Sequence, residues 1–206
     1  MLYRTPKLLQ ALYPTLTWQR DTSKKELYLT FDDGPIPNVT EFVLETLEKY
    51  NAKATFFCIG DNIRKHPEIF QKVVANGHAI GNHTMHHLKG WQTETSTYIE
   101  NTSQCQEQIE MYSLPSEKKL FRPPYGRIKR QQIGELSNDY EIVMWTTLSQ
   151  DYRADLSPET ILKNTIKVTK PGSIILLHDS LKAEKNMRYV LPRLLETFSD
   201  YEFKAL

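Results

Sequence analysis

Two adjacent carboxylates, Asp32 and Asp33, end the first β-prone run of the sequence. Residues 27–31 read Leu-Tyr-Leu-Thr-Phe, which is typical of a strand, and Gly34 and Pro35 stop it directly after the aspartates. Gly34 permits either a close backbone approach or a positive φ, and Pro35 fixes the exit direction. Like charges this close repel unless a cation lies between them. An acidic turn is the plainer interpretation of this stretch alone, but it weakens once the histidines are counted.

Residues 83–87, His-Thr-Met-His-His, place the imidazoles of His83 and His87 four positions apart. On one helical turn, or in a tight loop, both imidazoles can face one ion. Two histidines, one carboxylate and an open fourth position make a recurring hydrolytic zinc site. Asp33 is the natural carboxylate for such a site, and Asp32 is then free to act as a base.

The pair His83 and His87 does not match the zincin pattern His-Glu-x-x-His. That pattern needs a glutamate where this chain has Thr84, so its base is absent.

Three other histidines are weaker candidates. His86, between the two spaced histidines, points elsewhere by its spacing and is kept as an alternative ligand. His66, near a helix start, and His78, at the beginning of a strand, are predicted to be structural.

Further polar residues follow other predicted strand ends. His178 ends the apolar run 174–177 and would ordinarily be a core histidine that holds a turn. As a catalytic group it needs a partner to fix its tautomer and hold its charge, and Asp151 could be that partner. Arg122 is either a surface cation or, beside Asp32, a clamp that keeps that carboxylate ionised and in place.

The elements that position these residues alternate between strand and helix about seven times, without a linker or repeat, which is typical of an α/β domain with a parallel sheet, open or closed into a barrel. The carboxyl ends of parallel strands share one rim, so these polar residues are predicted to converge there. The predicted strands cover residues 27–31, 54–59, 78–83, 119–122, 140–145, 174–177 and 202–206. The predicted helices cover residues 38–50, 67–75, 95–112, 128–136, 157–170 and 184–198.

Composition narrows the functional classes. The 206 residues fit one domain or a little more, and 26 basic against 25 acidic side chains give a net charge of +1. This balance gives no reason to expect nucleic acid or an anionic membrane as a partner. An aromatic share of 11% is compatible with a sugar-binding surface and equally with an ordinary core.

Cysteines and the N-terminus favour a soluble protein in a reducing compartment. Cys58 lies in the apolar run 54–59 and is predicted to be a buried free thiol, and with only Cys105 besides it no disulfide framework is expected. The apolar stretch 8–13 is interrupted before it reaches the length of a signal-peptide core or a membrane span. A cytoplasmic location without a membrane span is therefore expected.

Over about residues 27–206 the chain resembles the polysaccharide deacetylases with NodB homology, carbohydrate esterase family 4. Four of the family's motifs are matched in order, at residues 30–35 (Thr-Phe-Asp-Asp-Gly-Pro), 83–87, 122–126 (Arg-Pro-Pro-Tyr-Gly) and 176–178 (Leu-Leu-His). The resemblance implies a distorted (β/α)7-type barrel. We expect one such domain over residues 1–206, with 1–24 as a short N-terminal extension.

The resemblance also implies roles for the site residues. A divalent metal, usually zinc with cobalt or another ion possible, would be held by Asp33, His83 and His87. Asp32 would be the base and His178 the acid. The supporting residues implied are Arg122 to orient Asp32, Asp151 to tune His178, the Tyr125 backbone N–H for the oxyanion, Leu176 for the acetyl methyl, and Pro124, Tyr125 and Tyr152 as substrate contacts.

The fourth motif departs from the family pattern. The family usually has two aspartates followed by Trp, whereas residues 148–152 read Leu-Ser-Gln-Asp-Tyr. Asp151 keeps the second aspartate, while Leu148 and Tyr152 replace the first aspartate and the Trp. This departure bears on the shape of the acetyl pocket and so on the substrate.

The expected activity is metal-dependent removal of N-acetyl groups from a saccharide that contains N-acetylglucosamine, such as chitooligosaccharide or peptidoglycan. We expect a monomer that acts on an acetylated saccharide. The alternatives are an esterase that removes O-acetyl groups, as on xylan, a saccharide-binding domain without turnover, and an amidohydrolase acting on a small non-sugar amide.

Overall fold

The strands form a curled parallel sheet. The computed structural model describes residues 2–113 and 119–206. Within these residues the sheet runs in the order β5-β4-β3-β2-β1-β7-β6, and β8 pairs with the beginning of β1. The strands are β1 (Glu26–Asp32), β2 (Ala54–Cys58), β3 (Ala79–Asn82), β4 (Lys119–Phe121), β5 (Tyr140–Ile142), β6 (Thr147–Leu148), β7 (Ile174–His178) and β8 (Glu202–Phe203). The predicted α/β fold of distorted-barrel type is confirmed.

Helices connect the strands and cover the outer face of the sheet. Among them, α7 begins as its sequence predicts, because the Ser157 hydroxyl accepts the Thr160 N–H at 3.2 Å and Pro158 takes the first helical position. The helices are α1 (Lys7–Leu12), α2 (Val39–Lys49), α3 (Gly60–Lys65), α4 (Pro67–Ala75), α5 (Thr95–Glu110), α6 (Arg130–Leu136), α7 (Pro158–Val168) and α8 (Glu184–Thr197). None of the helices in the described part of the chain has the length and apolar character needed to cross a bilayer.

Helices α1 and α3, and the early end of one strand, were not predicted from the sequence. No helix was predicted over residues 60–65, but Gly60 begins α3, where a Cβ would lie 2.5 Å from Met85 Sδ. The predicted strand 140–145 ends at Ile142, because the chain then crosses between the two ends of the sheet. Val143 N donates to the carbonyl of Phe121 in β4, whereas Thr146 N donates to that of Ile174 in β7.

The N-terminal residues help to close the sheet. Arg4 forms an antiparallel bridge with Thr147, and Thr17 forms a parallel bridge with Val143. Trp18 is 7% exposed and packs in a core cluster that includes Phe121 and Met144. Much of the expected extension 1–24 is therefore part of the barrel wall rather than an appendage.

Alternation along the strands separates core from site. In β1, the side chains of Leu27, Leu29 and Phe31 pack in the main core cluster, while Tyr28 belongs to a second cluster with Phe57, Leu120, Val143 and Ile174. Because successive side chains of a strand point to opposite faces, Thr30 and Asp32 share the inner face with Tyr28. The same alternation puts Ile174, Leu176 and His178 of β7 on the inner face.

The two cysteines are buried free thiols, as predicted for Cys58. Burial raises the pKa of Cys58 well above its ordinary value and raises that of Cys105 to about 12. Both thiols therefore stay protonated at neutral pH and behave as small apolar groups.

Candidate active site

The carboxyl ends of four strands bring the predicted polar residues to one rim. Asp32 ends β1 and pairs in register with His178, which ends β7. His83 directly follows β3, and Arg122 directly follows β4. Since neighbouring strands lie about 4.8 Å apart, residues at these ends are within side-chain reach of one another.

Asp33, His83 and His87 form one cluster of possible metal ligands. The ligand atoms of the three side chains all lie within 4.8 Å of one another. His87 Nε2 lies 3.3 Å and His83 Nε2 3.8 Å from Asp33 Oδ1. One carboxylate oxygen thus faces the Nε2 atoms of two imidazoles, and the three residues predicted to share an ion lie together.

The protonation of the histidines suits a divalent ion. His83 Nδ1 lies 2.8 Å from the carbonyl oxygen of Arg122, and because a carbonyl can only accept, this nitrogen carries the hydrogen. Nε2 therefore presents its lone pair toward Asp33. Burial lowers the pKa of His83 to about 3 and also lowers that of His87, so both rings are neutral at pH 7. Two neutral imidazoles and a carboxylate are a donor set that zinc binds.

The backbone that carries these ligands is unusual. His87 has φ +55° and Thr84 has φ +64°, so the two histidines sit in a tight loop and not on a helical turn. Asp33 has φ +86°. Of the two conformations expected for Gly34, the close backbone approach is the correct one, because the positive φ belongs to Asp33 instead.

Arg122 orients Asp32 from inside the barrel. The Arg122 side chain is fully buried, and its Nη1 donates to Asp32 Oδ1 at 2.7 Å. Its other donors reach the Thr30 hydroxyl and the carbonyls of Val143 and Met144. The surface-cation interpretation of Arg122 is therefore wrong. The second oxygen of Asp32, Oδ2, lies 3.7 Å from His83 Nε2, beside the metal-ligand cluster.

His178 and Asp151 form a second charged pair. Asp151 is fully buried, and its Oδ1 lies 2.8 Å from His178 Nδ1 while its Oδ2 accepts the His178 backbone N–H at 2.8 Å. Burial by itself lowers the pKa of His178, but the charge and the hydrogen bond of Asp151 outweigh it and raise the pKa to about 9. The charges of Asp33 and Asp32 contribute to the same rise of the pKa. The imidazole is therefore cationic at pH 7, with Nε2 left for another partner.

The family model of polysaccharide deacetylase matches residues 19–144, which is more than half of the chain. The chain belongs to the polysaccharide deacetylase family. It is thereby placed among the carbohydrate deacetylases, which are hydrolases.

Individual relatives agree with this assignment. The chain is 37% identical over 186 residues to a peptidoglycan-N-acetylglucosamine deacetylase of Bacillus cereus, with 84% of this chain and 82% of the relative covered. It is 36% identical over 161 residues to a chitooligosaccharide deacetylase of Azorhizobium caulinodans, with 76% and 75% covered. Among solved structures, the Bc1960 peptidoglycan N-acetylglucosamine deacetylase bound to 4-naphthalen-1-yl-N-oxidanyl-benzamide superposes with a TM-score of 0.89 at 28% identity, covering 98% of this chain and 95% of that one.

Two tyrosines of the deacetylase motifs pack their rings against histidines of the site. Tyr125, in a short 3-10 turn that begins with the buried Pro124, packs its ring 4.6 Å from that of His87. Tyr152 packs edge-on against His178, with ring centroids 5.2 Å apart. Both predicted tyrosine contacts thus lie at the site, and the substituted position 152 stands directly beside the proposed acid.

Leu176 lies on the same face of β7 as His178, two residues deeper, and is 2% exposed. Leu148 pairs with Leu176 in the β6–β7 register, so its side chain stands on the same face of the sheet. The family's usual aspartate at position 148 is therefore replaced by an apolar neighbour of Leu176.

The remaining histidines stay outside the metal-ligand cluster of the described residues. His86 Nδ1 lies 2.7 Å from Asp61 Oδ2 in an exposed pair, so its candidacy as alternative ligand is not supported. His78 is buried and its Nδ1 accepts the Ala54 N–H at 3.3 Å. His66 stands at the junction between α3 and α4.

Two contacts to the Asp33 loop were not predicted. Asn62 Nδ2 donates to the Asp33 carbonyl at 2.7 Å, and Asp179 Oδ1 accepts the Gly34 N–H at 3.0 Å. Asp179 could have been noticed in the sequence, because it is one more carboxylate directly behind a strand end. Asn62 lies in the unpredicted helix α3 and carried no comparable signal.

Proposed function

We propose that this polysaccharide deacetylase removes N-acetyl groups from oligo- or polysaccharides containing N-acetylglucosamine, with zinc bound by Asp33, His83 and His87. The supporting observation is the arrangement around that cluster. A carboxylate pinned by Arg122 flanks the cluster, and the cationic His178 stands opposite that carboxylate across the β1–β7 pair. A proton acceptor and a proton donor beside one candidate metal site are what hydrolysis of an amide requires.

A divalent ion in such a site supplies charge that polarises the amide carbonyl and makes water more acidic. The three donor side chains fit this task, because the imidazoles are neutral and their Nε2 atoms converge on Asp33 Oδ1. Asp32 Oδ2 lies beside the cluster, 3.7 Å from His83 Nε2.

Asp32 takes the proton of the attacking water through Oδ2. Its other oxygen is held by Arg122, so the carboxylate cannot rotate away. The backbone N–H of Tyr125, at the turn beside His87, stabilises the negative charge that develops on the amide oxygen. One such donor is worth about 3 kcal/mol in comparable sites.

His178 donates a proton to the departing sugar nitrogen. Its Nδ1 is engaged by Asp151, so Nε2 is the donor, and the high pKa keeps the ring charged at neutral pH. Without this proton the carbon–nitrogen bond would have to expel an unprotonated amine anion. Acetate and a free amine leave.

The proposed substrate class is supported by the names of two relatives, a peptidoglycan-N-acetylglucosamine deacetylase and a chitooligosaccharide deacetylase. Both polymers present N-acetylglucosamine. The test is acetate release from N-acetylglucosamine oligomers, peptidoglycan and acetylxylan, each with chelator-treated and zinc-restored protein. Zinc-dependent release from the first two substrates is expected, whereas release from acetylxylan alone would identify an O-acetyl esterase.

The variant Asp32→Asn tests the base, because it keeps the shape and one acceptor of the side chain. It is expected to bind zinc but to lose acetate release. An Asp32→Asn protein that binds zinc and releases acetate at the normal rate would refute this assignment.

A further inference from the structure

The carboxyl group of Asp179 contacts the Asp33 loop and takes no part in the proposed proton transfers. Asp179 is 1% exposed, and its backbone N–H donates to the Asp32 carbonyl at 3.1 Å. Its Oδ1 accepts the Gly34 N–H at 3.0 Å, and its Oδ2 accepts the Thr40 hydroxyl at 2.6 Å. Both oxygens thus bind the segment that directly follows Asp33.

This contact is close enough to dictate the residue at position 34. A Cβ on Gly34 would lie 1.9 Å from Asp179 Oδ2. Any side chain there would displace the carboxylate from the Gly34 amide. Position 34 thus requires a glycine because Asp179 packs against it, and not because its own φ is positive.

The contact matters because Asp33 adopts a costly conformation. A non-glycine residue at φ +86° is strained by roughly 1–3 kcal/mol and persists only where its surroundings over-determine it. Three contacts hold this loop: Asp179 to the Gly34 N–H, the Asn62 amide to the Asp33 carbonyl, and the Ile59 N–H to the Gly34 carbonyl. Of the three, the Asp179 contact reaches the loop from the end of β7, and it binds the residue directly after Asp33.

We propose that Asp179 is a positioning residue, which holds the Gly34 amide and thereby aims the Asp33 carboxylate at His83 and His87. The inference rests on the proposed function, in that the three residues bind a metal. The Thr40 hydroxyl accepts the Ile36 N–H while it donates to Asp179, so the same carboxylate also ties the loop to the beginning of α2.

The test uses variants that separate the two contacts of Asp179. Asp179→Leu has a similar shape and removes both acceptors, whereas Asp179→Asn keeps an oxygen for Gly34 and offers its amide to Thr40. Thr40→Val is the matched control, because it disturbs the same buried cluster but leaves the Gly34 contact. Zinc affinity is measured on the apoproteins by competition with a chromogenic chelator, with the visible spectrum of cobalt-loaded protein as a second readout.

Asp179→Leu is expected to bind zinc about 10- to 100-fold more weakly, the usual effect of losing a partner that orients a ligand. Its cobalt spectrum is expected to change, while Asp179→Asn and Thr40→Val stay near the wild type in both readouts. A purely structural role would instead lower the thermal stability of Asp179→Leu and Thr40→Val alike and leave zinc affinity unchanged.

A folded Asp179→Leu protein with wild-type zinc affinity would overturn the proposal. If that variant does not fold, Asp179→Ser, whose short hydroxyl cannot reach both partners, is judged by the same two outcomes. Affinity is read without turnover, so a wild-type protein that binds zinc but releases no acetate would refute the proposed function and leave this test decisive.

Discussion

The Asp151→Asn variant tests how the protein keeps its proposed acid charged. The pKa of His178 is about 9, which is about 2.5 above the ordinary imidazole value of 6.5. This difference corresponds to about 3 kcal/mol in favour of the cation. Since burial acts in the opposite direction, Asp151 and the neighbouring carboxylates must supply at least that much. Asparagine keeps an acceptor for Nδ1 but removes the charge.

The expected effect can be stated as a rate. With a pKa of about 9, roughly 90% of His178 is protonated at about pH 8, and with a pKa of 6.5 only about 3% is. Asp151→Asn should therefore lower kcat at that pH by about 30-fold and restore part of it toward pH 6. Activity that needs the cation is complete below the pKa and is lost as pH rises through it, so the alkaline limb moves to lower pH.

The assay is acetate release by zinc-loaded protein at saturating N-acetylglucosamine oligomer, from about pH 6 to 10. Ser149→Ala is the matched control, because the Ser149 hydroxyl accepts the Asp151 N–H and does not contact His178 in the described network. The difference between variants is the decisive quantity. An Asp151→Asn protein with its alkaline limb at the wild-type pH would refute the role of His178 as an acid charged by Asp151.

Two further predictions concern stability. Arg122→Leu leaves the Asp32 carboxylate buried and unpaired and should lower the free energy of unfolding in urea by about 3–5 kcal/mol, whereas a loss below about 1 kcal/mol would contradict the network described for Arg122. Trp18→Ala should lower the same quantity by about 3–5 kcal/mol, because the N-terminal segment is part of the barrel wall. The control is Trp91→Ala, at a side chain that is 59% exposed, and equal losses for the two tryptophans would be evidence against that role of the segment.

The site was more predictable than the path of the chain around it. Asp32, His83, Arg122 and His178 could be brought together from the sequence because each stands at or just after the end of a parallel strand, and such ends share one rim by construction. The partner of His178 was also predictable, since an imidazole that must stay charged needs a carboxylate. Local sequence patterns, together with the rule that the carboxyl ends of parallel strands share one rim, were sufficient to predict these residues.

Other features depend on contacts between distant segments, which no local pattern records. The pairing of Arg4 with Thr147 joins residues far apart in the chain, and it makes the N-terminal residues a wall of the barrel. The positive φ of Asp33 is imposed by its surroundings against its own preference. The sequence therefore suggested a positive φ at Gly34, although it occurs at the preceding residue. The contact between Asp179 and the Gly34 amide likewise joins residues 145 positions apart in the chain.

The most direct test of the proposed metal site is a zinc titration of metal-free protein, in which zinc binding and acetate release are followed together. One zinc per chain is expected to restore activity. His87→Gln is expected to lose both tight binding and activity, while His86→Gln, whose ring pairs with Asp61, is expected to lose neither. Full activity in chelator-treated protein, or wild-type zinc affinity in His87→Gln, would show that Asp33, His83 and His87 do not hold an ion that the reaction needs.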